Sequence, residues 1–539
     1  MNRIKNILKG NWGLIVATLA SVLLILLWYA SSGDKEMYIL FSSDALTLPS
    51  IYEDIFVNGN TFRGWSFNEA SNFIPDMLLF FILMGITSNF LTSSLLFSLI
   101  QYLAIIYLFY VIFKKISTIR ASVFALAIYL FSFFLLYFLV DNDYYYSYLV
   151  MSNSYHNGAF FMALVSIWLS IKFIKKDSWI TLIFLFLLCA IAYPCDKLFL
   201  IAYICPALFT GIVLLIARGN WKKICKFGAA CILGLLVGMV ILDKFKHNDV
   251  FQITRMHQNI ELDMITNSWN VFLLQMKTYL SEISFKSLTI ILSIVSFIWT
   301  AYYGICQFIQ IVQKKQNISL FFAFEIFVLF FVPMLILAPV LNGNYFGFDC
   351  IRYNYFIFIV LLFNLILLSN KFLEKHRHLT TGLNILFATA LSTFLAWNIY
   401  KIDFIPQLKN VPNTYTERAR SVDTLFPETE TTVYGITDNY WYAKHVTMFS
   451  QNNIKLRVTF TDAIPYLLLT NRQWYTGGGD GKHADLQFTF LFWNSDLPLP
   501  EFFTTQNPPY ETRILDNGMT LYLVKPFIFD AQTMQSRLL

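Results

Sequence analysis

Trp12-Gly-Leu-Ile-Val-Ala-Thr-Leu-Ala-Ser-Val-Leu-Leu-Ile-Leu-Leu-Trp-Tyr-Ala-Ser31 is a run of 20 residues without one charged side chain. A hydrocarbon core about 30 Å thick takes about 20 apolar residues as a helix, so the run reads as a membrane span. Arg3, Lys5 and Lys9 precede it, and Trp28 and Tyr29 near its far end are rings of the kind that settle at a membrane interface. That ending favours a retained helix over a cleaved signal segment. Comparable apolar runs follow at 121–140, 158–174, 179–193, 197–217, 227–242, 288–312, 319–340, 353–370 and 379–400. The stretch 77–113 is too long for one simple span and short for two. It reads as a partial or re-entrant lead-in over 77–90 and a crossing over 91–113. A polytopic α-helical bundle of about 11–13 transmembrane helices is expected.

The composition agrees. The 539 residues are 57% hydrophobic and 13% charged, against roughly 25% charged in a soluble chain. No basic stripe accompanies the net charge of +6, which argues against a nucleic-acid partner. Seven cysteines are present, mostly within apolar runs, and none lies beyond Cys350. Whatever follows must fold without a disulfide.

Short loops rich in Lys and Arg stay in the cytoplasm. The basic residues gather at Lys114, Lys115 and Arg120; Lys172, Lys175 and Lys176; Arg218, Lys222, Lys223 and Lys226; Lys314 and Lys315; and Lys371, Lys375 and Arg377. With these inside, loops 33–76, 141–157, 193–197, 243–286 and 341–352 and the tail 401–539 lie outside. The tail changes character. Thr432–Ile436, Lys455–Thr459, Gln487–Trp493 and Met519–Val524 alternate as strands do, and Asn439–Gln451 reads as an amphipathic helix. The expected organisation is a membrane domain over 1–400 and a small soluble α/β extracytoplasmic domain over 401–539. The glycine loop Gly477-Gly-Gly-Asp-Gly481 lacks the strand and helix setting of a phosphate loop.

The expected outer loops hold the chemistry. The first carries Asp44, Glu53, Asp54, Glu69 and Asp76. Asp44 follows the first span closely. Pro75-Asp76 opens into an apolar run, so Asp76 reads either as a functional carboxylate at membrane depth or as a helix cap. The second loop carries Asp141, Asp143 and, at a helix entrance, His156; the alternative reading is an aromatic belt with solvating acids. Asp196 and Lys197 occupy a tight turn. The loop 243–286, with Lys244, Lys246 and His247, reads as holding an interfacial amphipathic helix. Arg352 is a cation on the outer side, able to grip a phosphate through two parallel hydrogen bonds or simply to snorkel. Carboxylates from one loop and cations from others suit glycosyl transfer from a lipid phosphate: a base for the acceptor hydroxyl and positive charge for the departing phosphate.

This layout resembles the GT-C superfamily of polytopic glycosyltransferases, such as protein mannosyltransferases and aminoarabinose transferases. The similar features are the early external acid Asp44, the entry Asn72-Phe-Ile-Pro-Asp76, the helix entrance Tyr155-His-Asn-Gly158, the turn Cys195-Asp-Lys-Leu-Phe199, Arg352-Tyr353 and an outer C-terminal domain. The resemblance implies transfer from a polyprenyl-phosphate-linked sugar to a glycan, lipid or protein acceptor. The early external acid Asp44 would be the base or a metal ligand; the outer loops themselves add Asp76 as a second catalytic acid. His156, Lys197, Arg352, Asp141, Asp143 and Asp196 would bind donor phosphate or substrate. If a divalent metal ion takes part, Asp44 with Glu53 or Asp54 would hold it; no Asp-x-Asp pair stands at Asp44 itself. No Trp-Trp-Asp motif supports oligosaccharyl transfer. A flippase for lipid-linked saccharide and an O-antigen-type polymerase are the alternatives. The Lys-rich, Cys-poor composition is read as bacterial, which makes the membrane the inner membrane.

Overall fold

The computed structural model describes residues 2–31, 43–140, 156–247, 251–253, 261–281, 285–314, 317–413, 415–426, 432–476, 486–515 and 518–529. Asp141, Asp143, Arg255, His257 and the glycine loop lie outside the described residues.

The molecule is an α-helical membrane bundle followed by a small α/β unit. Its helices are α1 (Asn2–Ser31), α2 (Thr47–Tyr52), α3 (Leu78–Thr87), α4 (Phe90–Ile116), α5 (Ala121–Val140), α6 (Asn157–Lys176), α7 (Trp179–Cys195), α8 (Cys205–Ile216), α9 (Trp221–Lys246), α10 (Leu262–Leu280), α11 (Phe285–Lys314), α12 (Leu320–Leu341), α13 (Tyr355–Lys375) and α14 (Arg377–Lys401). Among the described residues eight helices are long and apolar enough to cross a membrane, and four shorter apolar ones accompany them. The helices associate through aromatic stacking and close backbone approach, because lipid offers no hydrophobic force between them. Phe109 stacks on Phe363 at 4.2 Å and Phe160 on Phe356 at 4.4 Å. Gly234 and Gly238 lie one above the other on α9 against α7; a Cβ on Gly234 would meet the Phe186 carbonyl at 2.6 Å.

The stretch 77–113 divides at Ser88, whose φ of 50° ends α3. Phe81 packs edge-on to Tyr52 and Phe56 of the first loop. At the junction with α4, Asn89 donates to the Pro412 carbonyl and Phe90 meets Phe449 of the α/β unit. Both ends of α3 therefore lie beside the first loop and the α/β unit, and of the two helices α4 has the length and apolar character of a span. The amphipathic helix read in 243–286 is α10, whose Ser268, Phe272, Gln275 and Tyr279 face inward. Gln275 accepts from the Tyr345 hydroxyl at 2.6 Å.

After α15 (Phe404–Asn410) and α16 (Glu417–Asp423), β3 (Val433–Thr437), α17 (Tyr440–Phe449) and β4 (Ile454–Val458) form a parallel β-α-β unit. The sheet has the order β4-β3-β6-β8-β7, with β6 (Phe488–Asn494) parallel to β3 and β7 (Glu511–Ile514) and β8 (Met519–Phe527) antiparallel. A second small sheet joins distant parts of the chain. In it β1 (Trp65–Phe67) of the first loop lies between β2 (Phe251–Ile253) and β5 (Thr470–Asn471) of the α/β unit.

The bundle thus has two chemically different ends. The described parts of the loops read as external lie at one end with the α/β unit. At the other end Lys175 donates to the Lys115 carbonyl, Lys223 to that of Ile174, Lys226 pairs with Asp177 and Arg120 with Glu374.

Candidate functional site

At the end of the bundle that carries the α/β unit, the first loop, the entrance to α6, the turn after α7 and the segment leading into α13 converge. Asn72, in the left-handed region at φ 53°, donates its N–H to the Cys195 carbonyl at 3.0 Å. This ties the first loop to the end of α7. The chain then turns into α3 and buries Asp76, which is 2% exposed. The Asp76 carboxylate accepts the Gly158 N–H at the start of α6 and lies close enough to Asp196 to feel its charge. Only glycine permits this approach, since a Cβ on Gly158 would stand 2.1 Å from Asp76 Oδ2.

Asp196 is 3% exposed and fully directed. Its Oδ1 accepts the Leu198 N–H at 2.9 Å, an Asx turn that shapes the end of α7, and its Oδ2 lies 2.7 Å from His156 Nδ1. His156 precedes α6 with φ at 67°, a left-handed conformation that histidine enters more readily than most residues. With Nδ1–H on the carboxylate, Nε2 is left as the acceptor nitrogen. This is the base-and-orienter geometry of acid–base sites. The Tyr353 ring lies 5.3 Å from the His156 ring, and the Arg352 guanidinium stands 5.3 Å over Tyr353. Tyr355 donates its hydroxyl to Asn157. Glu69 Oε1 takes Lys197 Nζ at 2.5 Å and Lys246 Nζ at 3.6 Å, so one carboxylate holds two ammonium groups at the rim.

The other acids of the first loop form a second cluster against the α/β unit. Asp44 Oδ1 accepts the Tyr440 hydroxyl at 2.8 Å. The neighbouring Lys444 donates to the Ser43 carbonyl at 3.0 Å and to Thr47 Oγ1 at 2.7 Å. Glu53 pairs with Lys455 at 3.1 Å. Asp54 is buried and accepts four N–H donors, from Asn60, Trp65, Asn471 and Trp474, at 2.7–2.9 Å. Arg457 stands 4.3 Å over the Trp474 ring.

The proposed metal role for these acids fits poorly. Asp54 has no lone pair to spare for a cation without giving up one of its donors, and Glu53 is engaged by an ammonium. Among the described residues no group of three or more His, Cys, Asp or Glu is placed to hold a metal ion.

Of the expected site residues, the structure therefore brings together Asp76, His156 and Asp196, with Lys197 and Arg352 linked to them through the same loops. It places Asp44, Glu53 and Asp54 at the junction with the α/β unit. Glu69 and Lys246 stood in the inventory of loop charges without a role. Asn157 stood only within the quoted entrance Tyr155-His-Asn-Gly158 and Tyr355 had no role assigned, since an Asn and a Tyr at helix ends are ordinary residues of a membrane interface.

Burial pushes the Lys444 ammonium down to about 7, with Asp44 opposing the shift. The folded state thus binds this proton less readily than the unfolded chain, and the group's contribution to stability rises with pH from about 7 to about 10.5. Lys444→Met removes that dependence. The variant's Tm advantage over the parent, followed in detergent by tryptophan fluorescence, is expected to be greatest near pH 7 and to shrink as pH rises to 10. A difference that stays constant over that range contradicts the assignment.

No protein-family model matches the chain, and no curated protein matches its sequence. Among solved structures, the crystal structure of ArnT from Cupriavidus metallidurans bound to undecaprenyl phosphate is similar, with a TM-score of 0.48 at 10% sequence identity. The match covers 94% of this chain and 97% of that one.

Proposed function

We propose that this chain is a membrane glycosyltransferase that moves a sugar from a polyprenyl-phosphate-linked donor to an acceptor hydroxyl at the face carrying the α/β unit. By the bias of Lys and Arg toward the opposite end, that face is extracytoplasmic, the periplasmic side of an inner membrane if the cell is bacterial. The observation that carries the reading is the His156–Asp196 pair set beside buried Asp76, with the cations Lys197, Lys246 and Arg352 held around the same loops.

His156 Nε2 takes the proton of the acceptor hydroxyl as its oxygen attacks the anomeric carbon. Asp196 holds the ring by Nδ1 and stabilises the imidazolium that forms. The bond from the anomeric carbon to the phosphate oxygen breaks, and the electron pair leaves with the polyprenyl phosphate. Lys197, Lys246 and Arg352 offset the charge gained there. Asp76, buried beside Asp196 and accepting the Gly158 N–H, fixes the entrance of α6 at which His156 stands. In this scheme Asp44, which the resemblance would make the base, holds the junction with Tyr440 and Lys444.

The test uses the full chain in proteoliposomes with a radiolabelled polyprenyl-phosphate sugar and total envelope glycolipid as acceptor. Label passing into the acceptor supports the reading. Label that crosses the bilayer while staying on its carrier overturns it in favour of a flippase. Gly158→Ala is expected to lower transfer by about 100-fold, as a misplacement of roughly 1 Å does at a reacting centre, because the new methyl displaces the Asp76 carboxylate. Unchanged transfer in Gly158→Ala would remove Asp76 from the site.

A further inference from the structure

At the opposite end of the bundle, a concavity of about 690 Å³ opens between α6, α8, α9, α11 and α12. Its walls are Ile171, Ala207, Leu214, Phe227, Phe324 and Phe327, and its floor is the Ser170–Tyr203 hydroxyl pair at 2.6 Å. Its mouth is different in kind. Arg218 and Asn220 come from the turn joining α8 to α9, Lys223 from the first turn of α9, and Asn317 and Ser319 from the approach to α12. Arg218 is exposed, in the left-handed region at φ 60°. Lys223 is drawn across the opening by its bond to the Ile174 carbonyl at 3.1 Å.

Depth decides what fits. From Ala217 at the mouth to Ala207 inside, the wall follows α8 for ten residues, or about 15 Å of helix. That is half of a hydrocarbon core of about 30 Å, the thickness of one leaflet. Water gains little from such walls and an acyl chain gains dispersion contact along them. A chain lying there would carry its headgroup to the level of Arg218 and Lys223. The leaflet on a Lys- and Arg-rich face is the one whose anionic lipids attract such residues.

We propose that this concavity seats one acyl chain of an anionic glycerophospholipid from the leaflet at the basic end, with the lipid phosphate against Arg218 and Lys223. The lipid lies against α6, α8, α9 and α12 at the end remote from His156. The proposal does not depend on the transferase reading, since it uses none of that site's residues.

The experiment is native mass spectrometry of the full chain, delipidated in detergent. The probes are dioleoyl phosphatidylglycerol, dioleoyl phosphatidylcholine, inorganic phosphate and polyprenyl phosphate. Phosphatidylglycerol is expected to be retained well above phosphatidylcholine, and phosphate not at all. The double variant R218A/K223A is expected to weaken phosphatidylglycerol by roughly thirtyfold, the effect of two basic side chains at a lipid surface. Ala207→Phe, which fills the concavity, is expected to weaken both phospholipids. If that variant fails to fold, the double variant, altered only at the mouth, still decides. Equal retention of the two phospholipids, or retention unchanged in R218A/K223A, overturns the proposal. So does displacement of phosphatidylglycerol by polyprenyl phosphate, which would make the concavity part of the donor's path.

Discussion

His156→Gln is expected to lower sugar transfer by about 10²–10⁴-fold, the range a general base contributes, while the protein keeps its fold. Glutamine keeps a polar side chain of comparable reach but cannot take a proton at neutral pH. Asp196→Asn should fall in the same range for a different reason. The amide can no longer accept the Nδ1 proton as a carboxylate does, so the ring loses both its tautomer and its stabilised imidazolium. The two effects should not add. Once His156 is gone, Asp196 has no base to orient, so the double variant should be close to His156→Gln alone. Additive losses would mean that the two residues act separately. Asp44→Asn provides the contrast: if Asp44 belongs to the junction, its replacement should weaken the union of the first loop with the α/β unit more than it slows the chemistry. A loss of transfer in Asp44→Asn as deep as in His156→Gln, with Tm unchanged, would return the role of base to Asp44.

Asp54→Ala is expected to cost about 3–5 kcal/mol, the range for breaking a buried charged network whose partners then stay unpaired. Four donors, two of them indole N–H groups, converge on this carboxylate at 2.7–2.9 Å. Removing it strands Asn60 and Trp65 in the first loop and Asn471 and Trp474 in the α/β unit. The short sheet of β1, β2 and β5 should open with it, since β1 and β5 each lose the residue that pins them. Limited proteolysis of the first loop and a thermal scan read the result. Asp54→Asn, which keeps an acceptor oxygen, should lose less. A Tm within a degree or two of the parent in both variants would show that the carboxylate is dispensable.

Much of the architecture was legible before any coordinates. The apolar runs map onto α1 and α4 to α9 and onto α11 to α14, with boundaries shifted by a few residues. Hydropathy is a sum over neighbours in the chain, and lipid enforces it because no backbone group can go unpaired there. The separation of basic loops from acidic and aromatic ones was equally plain, and it corresponds to the two ends of the bundle. The alternation in 432–524 marked the strands of the α/β unit, since a half-buried sheet repeats every two residues.

The site was legible only in part. Asp76, His156, Asp196, Lys197 and Arg352 stood out because ionisable groups at the edge of a span are costly to keep. Their grouping was not legible. His156 meets Asp196 across 40 residues of chain, Lys197 meets Glu69 across 128, and Asp54 meets Asn471 across 417.

The sequence by itself determined that the chain crosses a membrane many times and where most of its spans lie. Those properties depend on the local balance of apolar and charged side chains against a slab of fixed thickness. Only the tertiary structure decided that Asp196 directs His156, that Asp54 is a structural clamp and that Gly158 must lack a side chain. A carboxylate is the same group wherever it stands, and its work is set by the donors and charges that folding brings within about 3 Å of it.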